Sequence, residues 1–217
     1  MPLRRTRPHH LPAFDRCEDR ALTALVFVLN GASFAAAKPN ALTHDAAAVL
    51  RRAGNQVVEL ANPAINSPAA LIGLENRIAG LARGRTVGLV GFSAGGALAL
   101  RIAATPGLHV SAVLDYYGVP DVRAFLARHA QDHRVNPIAG LAPFRPPIVA
   151  MLSGPIATEA HVVAAFGAAD PNVRADTSTA DLLADLPTAT SYTYPGGHGA
   201  SISASRPALA DFLAHLE

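Results

Sequence analysis

Tryptophan is absent from the chain, and cysteine occurs once, at Cys17. A lone thiol closes no internal disulfide, so Cys17 reads as an incidental residue near the start. Charge is also scarce. Only 16% of the residues are charged while 50% are hydrophobic, a balance that excludes an intrinsically disordered chain. The formal net charge is +2, and Arg4, Arg5 and Arg7 hold much of the basic excess. No basic stripe with interleaved aromatics occurs, which argues against a nucleic-acid partner. No apolar run reaches the length of a membrane span. What remains is a chain of 217 residues, enough for one domain with a substantial core and no internal repeat.

The amino-terminal region resembles a secretory signal in one respect. Arg4 and Arg5 precede the apolar residues 21–29, and Ala35-Ala36-Ala37 has the form of a cleavage site. Asp15, Glu18 and Asp19 are wrong for a positive leader, and residues 25–29 are needed as a core strand. The expected location is the cytoplasm, with secretion through an N-terminal signal as the alternative.

The stretch Gly91-Phe92-Ser93-Ala94-Gly95-Gly96 organises the rest. Before it lies Thr86-Val87-Gly88-Leu89-Val90, short, apolar and valine-rich, the composition of a buried strand. After it come residues 97–104, dominated by good helix formers. Ser93 therefore falls on a strand-to-helix turn, the G-x-S-x-G pattern in the context it requires. Such a turn pushes the hydroxyl out of the sheet and brings helix N-terminal N–H groups near it. The turn is tight enough to require small residues at positions 91 and 95.

Around this stretch, strands and helices alternate. Residues 1–20 read as an arm, and 21–217 as the domain. Strands are expected at 24–29, 56–60, 86–90, 110–116 and 191–194. Helices are expected from Thr43 to Gly54, from Ser67-Pro68 to Gly84, after the elbow, and at 121–129, 179–186 and 207–216. Leu71, Leu74, Ile78 and Leu81 would form the buried stripe of the second helix. Residues 148–152 and 162–166 are further apolar runs. The proline-rich stretch 119–147 reads as a small cap over the site or as an ordinary connector. The alternation predicts an α/β fold: a mostly parallel sheet with helices on both faces and ligands at the carboxyl ends of the strands.

A serine hydroxyl becomes a nucleophile when a base takes its proton, and that base needs a carboxylate to fix its tautomer. Asp170 in Gly167-Ala168-Ala169-Asp170 and His198 in Pro195-Gly196-Gly197-His198-Gly199 each follow an apolar strand in the order Ser, acid, His. Asp115, at the end of the strand after the elbow strand, is the alternative acid. His109 lies at the wrong end of its strand and His44 in a helix start. His129 and His133 have the spacing of two ligands on one helix face but lack the zinc-protease pattern and read as a polar surface. The first oxyanion donor would be the N–H of Ala94. The second would come from the turn after the first core strand, Ala32 or else Ser33. Phe34 and Phe92 could wall a small pocket, or lie in the core.

On these residues the chain resembles the α/β-hydrolase superfamily, and within it the dienelactone-hydrolase branch. The shared segments are Gly88-Leu89-Val90-Gly91-Phe92-Ser93-Ala94-Gly95-Gly96, Val113-Leu114-Asp115-Tyr116-Tyr117-Gly118, Gly167-Ala168-Ala169-Asp170 and Tyr194-Pro195-Gly196-Gly197-His198-Gly199. The likeness spans about residues 24–217. It implies an α/β-hydrolase sheet of eight or slightly fewer strands, and ester or lactone hydrolysis through an acyl-enzyme without metal or organic cofactor. Dienelactone hydrolases carry Cys where this chain has Ser93, and many relatives have His-Gly where it has Asn30-Gly31.

The expected function is thus that of a carboxylesterase-type serine hydrolase acting on a small-molecule ester, with short acyl chains preferred. A lactone hydrolase, an acyltransferase and a non-catalytic ligand-binding protein are the alternatives.

Overall fold

Every residue of β1 (Leu25–Leu29) and β3 (Val87–Phe92) is buried, as their unbroken apolar runs require. A computed structural model of the chain describes residues 24–31, 34–131 (with the side chains of 129–131 excluded) and 146–216. The expected arm at 1–20, Ala32, Ser33 and residues 132–145 of the expected cap lie outside the described residues. With β2 (Gln56–Leu60), β4 (Val110–Tyr116), β5 (His161–Gly167) and β6 (Thr190–Tyr194), the two strands form one parallel sheet in the order β2-β1-β3-β4-β5-β6. The sheet has six strands among the described residues, fewer than the eight that the resemblance allows.

Alternation of side chains splits the core into two layers. Leu25, Phe27 and Leu29 of β1 face one side, with Leu89, Val113, Val162 and Phe166. That layer is covered by α2 (Pro68–Ala82), α3 (Ala94–Ile102), α4 (Val122–Gln131), α5 (Pro146–Met151) and α6 (Ala175–Asp185). Val26 and Val28 face the other side, with Val90, Leu114, Tyr116 and Val163, beneath α1 (Ala41–Arg52) and α7 (Arg206–Ala214). Among the described residues, no helix is long and apolar enough to cross a membrane.

Local chemistry sets the helix starts, with some differences from the sequence expectation. Asn40, not Thr43, caps α1. Its side-chain oxygen accepts from the N–H groups of Leu42 and Thr43 at 3.0 and 3.2 Å, while Thr43 Oγ1 accepts from the Asn40 N–H at 2.9 Å. This is a reciprocal capping box, and it uses Thr43 three positions inside the helix. Ser67 caps α2 as expected, accepting from the Ala70 N–H at 3.3 Å with Pro68 in the first turn. The inward stripe of α2 is Leu71, Leu74, Ile78 and Ala82, whereas Leu81 is 44% exposed. The apolar run at 148–152 mostly belongs to α5, which opens on Pro146-Pro147.

Because all strand pairs are parallel, the loops after β1, β3, β5 and β6 gather at one edge. The chain leaves β1 for β2 on one side and returns to β3 on the other. This reversal opens a crevice at the carboxyl ends of β1 and β3, where ligands bind in open α/β sheets.

Candidate active site

Ser93 sits at that crevice, between β3 and α3, with φ 53° and ψ −123°. A non-glycine residue rarely adopts a positive φ, and the surroundings must hold it there. The Ser93 N–H donates to Tyr116 O at 2.9 Å, and Ser93 O accepts from the Gly96 N–H at 2.9 Å. Two glycines make the turn sterically possible. A Cβ on Gly91 would lie 2.1 Å from Gly95 O, and one on Gly95 would lie 2.6 Å from both Leu29 O and Asn30 O. The chain around the serine therefore closes against itself and against the end of β1.

Ser93 Oγ lies 3.0 Å from His198 Nε2. His198 Nδ1 lies 2.8 Å from Asp170 Oδ2. The other carboxylate oxygen, Asp170 Oδ1, accepts from the N–H groups of Asn172 and Val173 at 2.8 and 2.9 Å. The Asp170 side chain is fully buried, whereas that of His198 keeps 29% exposure. With its carboxylate acceptor on Nδ1, the imidazole holds its proton there and turns Nε2 toward the serine as an acceptor. The three residues predicted from chain order are thus brought into one hydrogen-bonded line.

The loops that carry Asp170 and His198 are joined by their backbones. The Ala168 N–H donates to Tyr194 O at 2.9 Å, and the Ala169 N–H to Gly196 O at 2.7 Å. Two tyrosines at the end of β4 fix the histidine loop from below, a contribution that sequence reasoning missed. Tyr116 Oη donates to Ile202 O at 3.0 Å and accepts from the Ser205 N–H at 2.6 Å. Tyr117 Oη donates to Ala200 O at 3.3 Å, and its ring lies against that of His198 with centroids 4.6 Å apart. Burial pushes the Tyr116 phenol up to about 12 and that of Tyr117 higher still, so both remain neutral donors.

Asn30 organises the loop on the other side of the crevice. Its Oδ1 accepts from the N–H of Gly31 at 2.7 Å and from Asn40 Nδ2 at 3.0 Å. Its Nδ2 donates to Lys38 O at 2.8 Å, and its carbonyl accepts from Asn62 Nδ2 at 2.6 Å. This asparagine cluster ties the chain after β1 to α1 and to the segment after β2. A methyl group added to Gly31 would meet Ser93 Cβ at 3.0 Å, so Gly31 lies directly against the serine.

The remaining predicted residues fall in different places. Ala94 is the first residue of α3 and is buried beside Ser93. Ala32 and Ser33 lie outside the described residues. Phe34 is 7% exposed, in the core layer with Leu29 and Ile65. Phe92 is 1% exposed and packs among Tyr116 and Tyr117, with ring centroids 5.8 and 5.9 Å apart. It is a core residue without exposed surface to offer a substrate. Asp115, the alternative acid, is wholly buried beneath α3, and the carboxylate that meets His198 belongs to Asp170.

No family model matches the chain, and no curated protein matches it either. Solved structures do. A truncated carbohydrate esterase from gut microbiota is similar at 18% identity, over 91% of this chain and 87% of its own, with a TM-score of 0.67. A carboxylesterase from Lactobacillus plantarum is similar at 18% identity, over 85% of this chain and 77% of its own, with a TM-score of 0.62. A protein from Xanthomonas campestris assigned to the alpha/beta hydrolase superfamily is similar at 13% identity, over 88% of this chain and 96% of its own, with a TM-score of 0.56. At these identities the likeness establishes the fold, which is that of the α/β-hydrolases.

Proposed function

We propose that the protein is a serine hydrolase that cleaves carboxylic esters through an acyl-enzyme. The observation that carries this reading is the line from Ser93 Oγ through His198 to the buried Asp170, at 3.0 and 2.8 Å. Ser93 attacks the acyl carbon as His198 Nε2 takes its proton. The imidazolium then returns that proton to the leaving alcohol, and Asp170 holds the ring in orientation throughout. The Ala94 N–H, at the start of α3, holds the oxyanion together with an N–H from the loop after β1, that of Ala32 or Ser33. Water activated by His198 then releases the acid.

The similar carboxylesterase and carbohydrate esterase support ester substrates. We assign a preference for short acyl groups. The serine and histidine lie at a solvent-facing edge, and Phe92 is spent in the core. A tail left in water contributes nothing to the rate, since only buried methylenes stabilise the transition state, by about 0.8 kcal/mol each. The same residues would open a lactone, whose leaving alcohol stays tethered to the acyl group; the dienelactone-type motifs support that substrate class.

The test is labelling by a fluorophosphonate probe, with Ser93→Ala as control, followed by turnover of p-nitrophenyl esters of rising chain length. Labelling of the wild type alone, with kcat/KM falling beyond butyrate, is the expected result. A rise that continues through decanoate would overturn the short-chain preference. No labelling and no turnover would overturn the hydrolase reading in favour of a binding protein.

A further inference from the structure

At the opposite end of the sheet from Ser93, a second group of side chains converges. His161 opens β5, and Asp211 and His215 lie one turn apart at the end of α7. His161 Nε2 is 2.9 Å from Asp211 Oδ1, and His215 Nδ1 is 3.2 Å from the same oxygen. One ligand atom from each residue falls within 4.8 Å of the other two. The second carboxylate oxygen, Oδ2, accepts from Tyr192 Oη of β6 at 2.9 Å. The two imidazole rings stack with centroids 3.6 Å apart and planes 17° from parallel.

We propose that His161, Asp211 and His215 form a binding site for one divalent transition-metal ion of the zinc class. The ligand set is two imidazoles and a carboxylate, which suits Zn²⁺, Co²⁺ or Ni²⁺ and not the all-oxygen demand of Mg²⁺ or Ca²⁺. Metal–ligand bonds of about 2.1 Å place neighbouring donors roughly 3.0–3.4 Å apart in octahedral or tetrahedral geometry. The separations of 2.9 and 3.2 Å around Asp211 Oδ1 are already near that spacing. Tyr192 supplies the outer hydrogen bond that such a carboxylate needs to stay oriented.

Binding requires two adjustments. His215 Nδ1 must leave the Asp211 carbonyl, from which it is now 2.8 Å, and the rings must fan apart so that each holds the ion in its plane. His215 can do both, because its side chain is 46% exposed at a helix end. The ion takes the place of the proton shared between His161 Nε2 and the Asp211 carboxylate and of that between His215 Nδ1 and the Asp211 carbonyl, and water fills the open positions. The consequence is structural: one ion ties the end of α7 to β5, far from the serine.

The experiment uses the full chain, stripped with a chelator and dialysed. Zn²⁺ is titrated by calorimetry, Co²⁺ binding is followed by its visible absorption, and melting is recorded with and without Zn²⁺. Metal taken up by other histidines, such as His44, is common to the wild type and the variants, so the readout is the difference between them. The expected result is one tight equivalent, with affinity lowered at least tenfold in both His161→Gln and His215→Gln, and less in Tyr192→Phe. Zn²⁺ should raise the melting temperature of the wild type and not of His215→Gln, whose exposed helix-end position leaves the fold intact by circular dichroism. Equal Zn²⁺ affinity and stoichiometry in the wild type and His215→Gln, or no tight equivalent in the wild type, would overturn the site and leave a purely hydrogen-bonded cluster.

Discussion

The carboxylate of Asp115 lies directly against the backbone of Gly96, so closely that a Cβ at Gly96 would sit 1.9 Å from Asp115 Oδ1. Gly118 approaches the same carboxylate from the other side, where a Cβ would sit 2.1 Å from Oδ1. The acid is thus enclosed between the first turn of α3 and the end of β4. Neither oxygen has a hydrogen-bond partner of good geometry among the described residues. Burial pushes its carboxyl up to about 7, the larger effect, and the nearby Gly118 amide opposes it.

A pH dependence follows. The folded-state pKa is raised above the ordinary value of 3.8, so the unfolded chain gives up this proton at lower pH than the folded one. Between about pH 4 and about pH 7 the native state binds the extra proton, and stability falls as pH rises, by up to about 1.4 kcal/mol per pH unit from this group. Asp115→Asn removes the dependence. The variant should gain stability relative to wild type at about pH 8 and gain less, or lose, at about pH 5. Urea denaturation at the two pH values checks this. An equal change at both would mean that Asp115 ionises in the folded chain just as it does in the unfolded one.

Asp170→Asn should act on turnover instead. It removes the acceptor that orients His198 Nδ1, leaving the wrong tautomer facing Ser93, at a cost on the order of 10⁴ in kcat with little change in KM. Steady-state kinetics on a p-nitrophenyl ester compare it with Asp115→Asn. If Asp115→Asn is the crippling change, the assignment of the acid is reversed.

The sequence revealed the strands and the order Ser93, Asp170, His198 because both rest on local pattern. Apolar runs mark buried strands, and glycines mark turns where the backbone must approach something closely. It did not reveal features that depend on partners distant in sequence. Thr43 has the right chemistry for a cap, but the choice of Asn40 depends on Asn30, which binds the Asn40 amide. Leu81 is more apolar than Ala82, yet α2 turns Ala82 inward because it lies one turn after Ile78. The run at 148–152 is too short for periodicity to separate strand from helix, and Pro146-Pro147 starts a helix. His161 and His215 carried no signal, since 54 residues separate them and only the packing of α7 on β5 brings them together.

Ser93 stores backbone strain at its positive φ, and relief of that strain is measurable. Ser93→Gly should abolish ester turnover and probe labelling while raising stability by about 1 kcal/mol, less than the strain released because glycine is more flexible in the unfolded chain. Ser93→Ala should abolish turnover without that gain. Denaturant midpoints of the two variants check it. A Gly variant less stable than the Ala variant, by the roughly 0.4–1 kcal/mol that glycine's freedom in the unfolded chain costs, would show that the turn is not strained at residue 93.

Tyr117 connects the end of β4 to the histidine loop in two separable ways. Its ring packs on His198, at 4.6 Å between centroids, and its hydroxyl donates to Ala200 O at 3.3 Å. The ring contact limits how far the imidazole can swing from Ser93, whereas the hydroxyl bond is long and anchors only the loop. Misplacing a base relative to its nucleophile affects the transition state more than the bound ester. Tyr117→Phe keeps the ring and should retain most of kcat. Tyr117→Ala should lower kcat about tenfold or more while KM changes little, because the imidazole gains positions from which it cannot take the serine proton. Steady-state kinetics of both variants on one short ester separate the effects. A Phe variant as impaired as the Ala variant would move the role from the ring to the hydroxyl and its hold on Ala200.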